Sequence, residues 1–153
     1  SGTGDKRGSL ATEPGHYLTE EQALAAFRTQ LGRTIDALKG AGKQVVLVET
    51  IIDWPLDVPH LVFKSLMRDP DLAEIRRDNA AYHQRFARVE DLLQSMQKEH
   101  VFTTIRLRDA LCDQTRCLVY RDGAVLYTDN NHLSEAGSRL LAPLFKPLVS
   151  QGR

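Results

Sequence analysis

Residues 44–50, QVVLVET, constrain the fold more than any other stretch of this chain, because they form an unbroken apolar run rich in valine. β-Branched residues favour strands. A run without polar alternation is typical of a central parallel strand that is covered on both faces. Because a helical pattern and a short glycine-containing turn precede the run, the sequence predicts part of an α/β layered structure.

The segments on either side of this strand are predicted to be a helix and a loop. The helix begins after Thr19, a good N-cap residue, and ends at Gly40 and Gly42. After the strand, Pro55 and Pro59 prevent regular structure in IIDWPLDVP. In open parallel sheets ligands bind outside the carboxyl ends of the strands, so this loop is a candidate place for a site.

A long helical crossover is predicted to follow. HLVFKSLMRD reads as a short helix, and residues 70–100 read as mostly helix, most strongly over 81–98. VFTTIRLRD then supplies a second strand. Because parallel neighbours need such a crossover, we expect 44–50 and 101–107 to pair in parallel within a three-layer arrangement.

The C-terminal third predicts a hairpin and a closing helix. CLVYR and AVLYT flank Asp122 and Gly123, a favoured pair for a type I′ turn. The helix is expected to start near Leu133, with Ser134 as its N-cap, and to run to about Leu148.

Length and charge exclude several classes of protein. The 153 residues suit one domain, and 20 Lys and Arg balance 20 Asp and Glu, so nothing favours nucleic acid or an anionic membrane as partner. No apolar run reaches the roughly 18 residues of a membrane span. The first ten residues lack the apolar stretch of a secretory signal. We expect residues 1–17 to be a loop or the edge of a piece excised from a longer protein.

The two cysteines, Cys112 and Cys117, form a C-x4-C pair. Structural zinc needs four ligands, and no further ligands cluster nearby; His83 and His100 are interpreted as surface or helix-end residues. The pair is either two free thiols or a small disulfide loop worth roughly 2 kcal/mol, and we favour the disulfide. A disulfide would indicate an oxidising compartment, the periplasm or the outside of the cell.

Asp129 and His132 lie three residues apart, in LYTDNNHLSEAG, where a strand pattern gives way to a helix. A histidine can move protons near neutral pH. A carboxylate close behind it can hold one ring nitrogen and stabilise the imidazolium. The alternative is a turn in which the Asp and Asn side chains cap the next helix without any chemistry. Spacing alone leaves both interpretations open.

The segment DGAVLYTDNNHLSEAGSRLLAPL resembles the last conserved block of SGNH (GDSL-like) hydrolases. More narrowly, it is similar to the SGNH domain fused behind the membrane domain of acyltransferase-three proteins, the O-antigen and cell-wall acetylases of bacteria. The matching positions, in order, are Cys112, Cys117, Gly123, Leu126, Tyr127, Asp129, His132, Leu133, Ser134 and Gly137. VVLVETIIDWPLDVPHLVFK also resembles the strand and proline loop of the family, so the resemblance extends from about Leu18 to Leu148.

The resemblance implies a fold, a location and a function. Residues 18–150 would be the C-terminal part of a flavodoxin-like three-layer SGNH domain with a mainly parallel sheet, its first strands missing. That domain would lie at the periplasmic face of the bacterial inner membrane. Its partners would be the membrane acyltransferase domain of the same parent chain and a glycan acceptor, whose hydroxyls receive acyl groups, expected to be acetyl. No metal or organic cofactor is implied. The alternatives are a fragment of a secreted SGNH esterase and a non-catalytic binding or interaction domain.

The resemblance also assigns His132 as general base and Asp129 as its orienting partner, and it requires a serine that follows Gly-Asp. GTGD at 2–5 is followed by Lys6, and Ser9 lacks the Gly-Asp lead. The other serines considered lie in helical patterns or at a cap: Ser65, Ser95, Ser134 and Ser138. Oxyanion donors are not visible either. We therefore expect the serine to lie outside this chain, and the chain alone to be inactive.

Overall fold

A computed structural model of the chain describes residues 11–13 and 16–150. These residues divide into two compact units, one of 11–13, 16–45 and 87–102 and the other of 46–86 and 103–150. The elements in chain order are β1 (Ala11–Glu13), β2 (His16–Tyr17), α1 (Glu20–Gly40), β3 (Val46–Val48), α2 (Val58–Leu66), β4 (Glu74–Asp78), α3 (Ala80–Met96), β5 (Thr103–Ile105), α4 (Arg108–Leu111), β6 (Arg116–Arg121), β7 (Ala124–Val125), α5 (Glu135–Leu141), a 3-10 helix (Ala142–Phe145) and α6 (Lys146–Ser150). No helix in the described ranges has both the length and the apolar character needed to cross a membrane.

The first unit is organised around α1. Thr19 caps it as predicted: its hydroxyl accepts from the Gln22 amide at 3.2 Å, and the Gln22 side chain accepts from the Thr19 amide at 2.9 Å. Before the helix, β1 and β2 pair in antiparallel fashion. These strands fall inside 1–17, the range predicted as a loop, whose first ten residues lie outside the described ones. The division of the chain at position 17 stays a prediction.

His100 lies beyond the end of α3, where the sequence indicated a helix-end residue, but its side chain is not simply solvated. Its Nδ1 lies 2.8 Å from Asp36 Oδ1, and only 19% of the side chain is exposed. A Cβ on Gly32 would lie 2.8 Å from His100 Nε2. The absence of a side chain at Gly32 therefore makes room for the imidazole within this unit.

The second unit contains the predicted parallel pair. Val46 aligns with Thr103 and Val48 with Ile105 in β3 and β5, which confirms the prediction that 44–50 and 101–107 are parallel neighbours. The Glu49 amide extends the pairing by donating to Ile105 O at 2.9 Å. The loop predicted after 44–50 therefore starts at the carboxyl end of a parallel strand.

A three-stranded antiparallel sheet, ordered β4-β6-β7, forms the rest of this unit. The prediction of a mostly helical segment over 70–100 is wrong in its first part, since β4 is a strand and α3 begins only at Ala80. Glu and Arg are good helix formers, but Ile75 pairs with Tyr120 of the buried strand β6. Tertiary pairing therefore overrides local propensity in β4.

The predicted hairpin is confirmed. Asp122 (φ 49°) and Gly123 (φ 82°) join β6 to β7, and a type I′ turn requires positive φ at both positions. Cys112 and Cys117 are bonded to each other, which confirms the favoured interpretation of the cysteine pair.

The core of the second unit lies under β6 and the loop after β3. Its buried members are Ile52, Trp54, Val58, Val62, Tyr82, Leu111, Cys117, Leu118, Val119, Tyr120, Leu126, Tyr127 and Leu141. The closing helix, predicted as one piece, is interrupted after α5 by the 3-10 helix, which has Pro143 in its first turn. Proline lacks the amide that would continue the α-helical ladder.

Candidate active site

The side chains of Asp129 and His132 are hydrogen-bonded to each other. His132 Nδ1 lies 2.7 Å from Asp129 Oδ2, and the His132 amide donates to Asp129 Oδ1 at 2.7 Å. The same Oδ1 accepts from the Asn131 amide at 2.8 Å. One carboxylate therefore fixes both the turn and the imidazole that follows it. The alternative, in which the Asp and Asn side chains cap the next helix, is wrong in that detail, because Ser134 caps α5 while Asp129 shapes the turn and holds the ring. The catalytic interpretation stays a prediction.

The ionisation of Asp129 sets the tautomer of His132. Hydrogen bonds from the Asn131 amide, the His132 ring and the His132 amide lower the pKa of Asp129 to about 2, so this carboxyl is ionised at neutral pH. A carboxylate can only accept, so Nδ1 of His132 carries the proton. In the neutral ring Nε2 then has its lone pair free. The side chain is 74% exposed, and no described residue forms a hydrogen bond with Nε2.

Backbone hydrogen bonds on both sides of the Asp–His pair close the turn that carries it. Thr128 N donates to His132 O at 2.8 Å, and Ser134 N donates to Leu126 O at 3.0 Å. The Ser134 hydroxyl donates to Val125 O at 2.6 Å and accepts from the Gly137 amide at 3.1 Å, so Ser134 is the N-cap that the sequence predicted. These bonds tie the start of α5 to the strand edge and hold the turn between them.

Asn130 anchors the turn to the loop after β3. Its side-chain Nδ2 donates to Asp53 Oδ1 at 2.9 Å and to Trp54 O at 3.3 Å, and its backbone carbonyl accepts from Trp54 N at 2.8 Å. Arg85 donates to the other oxygen of Asp53 at 2.8 Å. Sequence reasoning did not find Asp53, Arg85 or Asn130, although it did mark the loop after 44–50 as a place where ligands bind.

Two aromatic residues lie beneath the turn. Trp54 and Tyr127 meet edge to face with centroids 6.2 Å apart, and both are buried. Burial raises the pKa of Tyr127 to about 12, while the nearby Trp54 indole acts in the opposite direction. Neither Trp54 Nε1 nor the Tyr127 hydroxyl has a hydrogen-bond partner of good geometry among the described residues. The Trp54 and Tyr127 side chains therefore act mainly as buried packing residues.

A nucleophile is not evident beside the pair. The Ser65 and Ser95 hydroxyls donate to helix carbonyls, and Ser134 is the cap described above. Ser138 is exposed on α5, and Ser9 lies outside the described residues. Within the described ranges, no group of three or more His, Cys, Asp or Glu side chains is arranged to hold a metal ion.

The α/β fold of the second unit therefore presents the Asp129–His132 pair on an exposed turn. Residues 3–147 match the family model described as the SGNH domain fused to AT3 domains, and the chain belongs to that family. This confirms the resemblance recognised in the sequence. Among curated proteins, none matches the chain.

A solved structure shares the fold. It is the periplasmic domain of a lipopolysaccharide acetyltransferase from Salmonella ser. Paratyphi A, with a TM-score of 0.58 and 14% sequence identity. The similarity covers 89% of this chain and 52% of that one, so the chain spans about half the length of the solved domain. The match supports a partial SGNH-type α/β fold.

Proposed function

We propose that this chain is part of the periplasmic SGNH domain of a membrane O-acyltransferase. That enzyme transfers acyl groups, in particular acetyl, to hydroxyls of a cell-surface glycan through a Ser-His-Asp triad. The observation that carries the proposal is the bond between Asp129 and His132, which leaves Nε2 of an exposed imidazole unpaired among the described residues. Membership in a family fused to AT3 domains supports a membrane acyltransferase domain as the partner.

The chemistry runs through an acyl-serine. His132 Nε2 accepts the proton of the serine hydroxyl as its oxygen attacks the acyl carbonyl, and then gives that proton to the leaving group. In the second half, Nε2 accepts the proton of the glycan hydroxyl that attacks the acyl-serine, and then returns it to the serine oxygen. Asp129 stays ionised throughout and stabilises the imidazolium of each half.

The serine and the oxyanion donors of this triad are proposed to come from outside this chain. The roles already taken by Ser65, Ser95 and Ser134 support this, because their hydroxyls cap or brace helices. The extracytoplasmic location is supported by the Cys112–Cys117 bond, since disulfides persist in oxidising compartments. It is also supported by the shared fold with a periplasmic domain.

The test compares the chain with a version extended toward the N-terminus of its parent, using p-nitrophenyl acetate. The extended protein should hydrolyse the ester, and His132→Ala should remove about 10³-fold or more of the rate. Asp129→Asn should act in the same direction, because an amide no longer imposes the required tautomer. His83→Ala is the matched control, since that imidazole lies on α3 with its ring edge to face against Tyr82.

The 153-residue chain alone should be inactive, because a His–Asp pair offers no covalent acceptor for an acyl group. Turnover by the short chain at the rate of the long one would contradict an external serine. If His132→Ala abolished that turnover, Ser9 would be the first residue to mutate. Retention of activity in extended His132→Ala would refute the proposed base.

A further inference from the structure

A cavity of about 290 Å³ lies against α2 and reaches β4 in the second unit. Lys64, Arg68 and Arg77 line it, together with His60 and one acidic residue, Asp57. Lys64 follows His60 by four residues and Arg68 follows Lys64 by four, so these side chains share one face of the helical stretch. Arg77 comes from β4. The volume is close to the lower end of ligand pockets, about 300 Å³.

Three cations and one carboxylate line this cavity, so the lining keeps a net positive charge. None of the three cations has an ion-pair or side-chain hydrogen-bond partner among the described residues, whereas Arg76 beside them binds Glu74 and Asp113. Asp57 is occupied as the cap of α2, where its Oδ1 accepts from the His60 amide at 2.7 Å. Like charges converging on one concave surface repel each other, and a bound anion would relieve that repulsion.

The lining of a second cavity shares residues with this one and includes one residue of the turn that carries the Asp–His pair. This second cavity, of about 240 Å³, is lined by Leu56 and Asp57, which it shares with the first, and by Asn130. Asn130 is the residue between Asp129 and Asn131, and His132 follows directly after them. A ligand that filled both cavities would therefore extend from the cations to Asn130, in the turn that carries Asp129 and His132.

We infer that this cationic groove, defined by Lys64, Arg68 and Arg77, binds an anionic group of the glycan acceptor, a carboxylate or a phosphate. Guanidinium groups bind both in bidentate fashion, and an ammonium adds a point charge. The inference rests on the proposed function and adds the substrate class: the acceptor is an acidic glycan whose charged group lies in the groove while a neighbouring hydroxyl faces His132.

The experiment is an amide NMR titration of the 153-residue chain with three probes that share one sugar ring. Glucuronic acid carries a carboxylate, glucose 6-phosphate carries a phosphate, and glucose carries neither. We expect shift changes over 60–68 and at Arg77 with one or both anionic probes, and none with glucose at equal concentration. Raising the salt should weaken the binding.

The variant Lys64→Gln/Arg77→Gln should weaken that binding by on the order of tenfold, since it removes charge-assisted contacts. The matched control is Arg33→Gln/Lys39→Gln, which removes the same charge from exposed positions of α1 and should leave the dissociation constant unchanged. Amide dispersion reports the folding of both variants.

The three probes also separate the sources of the anion. Binding of glucuronic acid alone assigns a carboxylate, and binding of glucose 6-phosphate alone assigns a phosphate. Shift changes on another surface, equal binding of glucose, or equal weakening in the control variant would overturn the inference. The titration involves no acyl chemistry, so its failure leaves the ester test of the proposed function intact, and failure of the ester test leaves the binding result intact.

Discussion

The Asn130 side chain donates to Asp53 Oδ1 at 2.9 Å across 77 positions of the chain. This bond joins the turn that holds Asp129 and His132 to the loop that follows β3. Because the backbone of Asn130 also accepts from Trp54 N, the two segments are held at both side chain and main chain. The position of the His–Asp pair therefore depends on a carboxylate that takes no part in its chemistry.

Asp53→Ala should loosen this connection. It leaves the partly buried Asn130 amide without its main acceptor and releases Arg85, which is already 66% exposed. We expect the free energy of unfolding in urea to fall by about 1–2 kcal/mol. Amide exchange over 129–132 should accelerate. Asp71→Ala, at an exposed position, is the control and should change stability by less than about 0.5 kcal/mol; an equal loss there would argue against the connection.

The ionisation of Asp129 predicts an unusual acid titration. Its pKa of about 2 is depressed first by the Asn131 amide and then by the His132 side chain. A depressed folded-state pKa stabilises the fold above the ordinary value of 3.8, and that contribution is lost as the pH falls toward 2. Carboxyl ¹³C NMR of the folded chain should show Asp129 ionised at pH 3. In His132→Ala the pKa should rise but stay below its ordinary value, because the amide donors remain. A folded-state midpoint near 3.8 would be inconsistent with the bonds described.

Gly137→Ala should destabilise the chain although alanine has the higher helix propensity. A Cβ there would lie 2.2 Å from Leu126 O and 3.0 Å from Leu133 Cδ2. Relief requires α5 to move away from the strand edge, at a cost of about 1–3 kcal/mol. Gly40→Ala is the matched control, since a Cβ there meets no atom within 4 Å. It should be neutral or slightly stabilising in thermal unfolding. Equal melting temperatures for the two variants would disprove the steric account.

The disulfide should contribute measurably to stability. Intact mass spectrometry should show the unreduced chain lighter by two hydrogens than the reduced one. Reduction should lower the free energy of unfolding by about 2 kcal/mol, because the unfolded chain regains the freedom that the short loop removes. Cys112→Ala/Cys117→Ala should make stability insensitive to reductant. Ready labelling of both thiols in the untreated protein would count against the bond.

The sequence predicted those parts of the fold whose signals are local. The strand within 44–50, the turn at Asp122 and Gly123, and the caps Thr19 and Ser134 each depend on residues close in sequence. By contrast, β4 reads EIRRD and becomes a strand only because β6 offers a partner across more than 30 residues. Long-range pairing of that kind leaves no periodic trace in so short and charged a segment.

The same distinction applies to the candidate site. Asp129 and His132 could be paired from the sequence because three positions separate them. The Asp53–Asn130 hydrogen bond and the placement of Lys64 and Arg77 along one cavity could not be predicted from the sequence, since the contributing segments are distant in the chain. A lone charged residue on a helix or strand is normally a solvated one, so nothing in the local sequence distinguishes these positions.

The close approach of Gly137 to Leu126 O changes how the HLSEAG segment should be used to recognise relatives. Ser134 caps α5, and Gly137 leaves room for the Leu126 carbonyl, so selection for folding alone would preserve both residues. Under the proposed function His132 is kept for catalysis, and selection would release it once catalysis was lost, whereas Asp129 also holds the turn through two backbone amides. A relative that keeps the serine and the glycine but replaces the histidine would be a descendant with an intact scaffold and no enzyme.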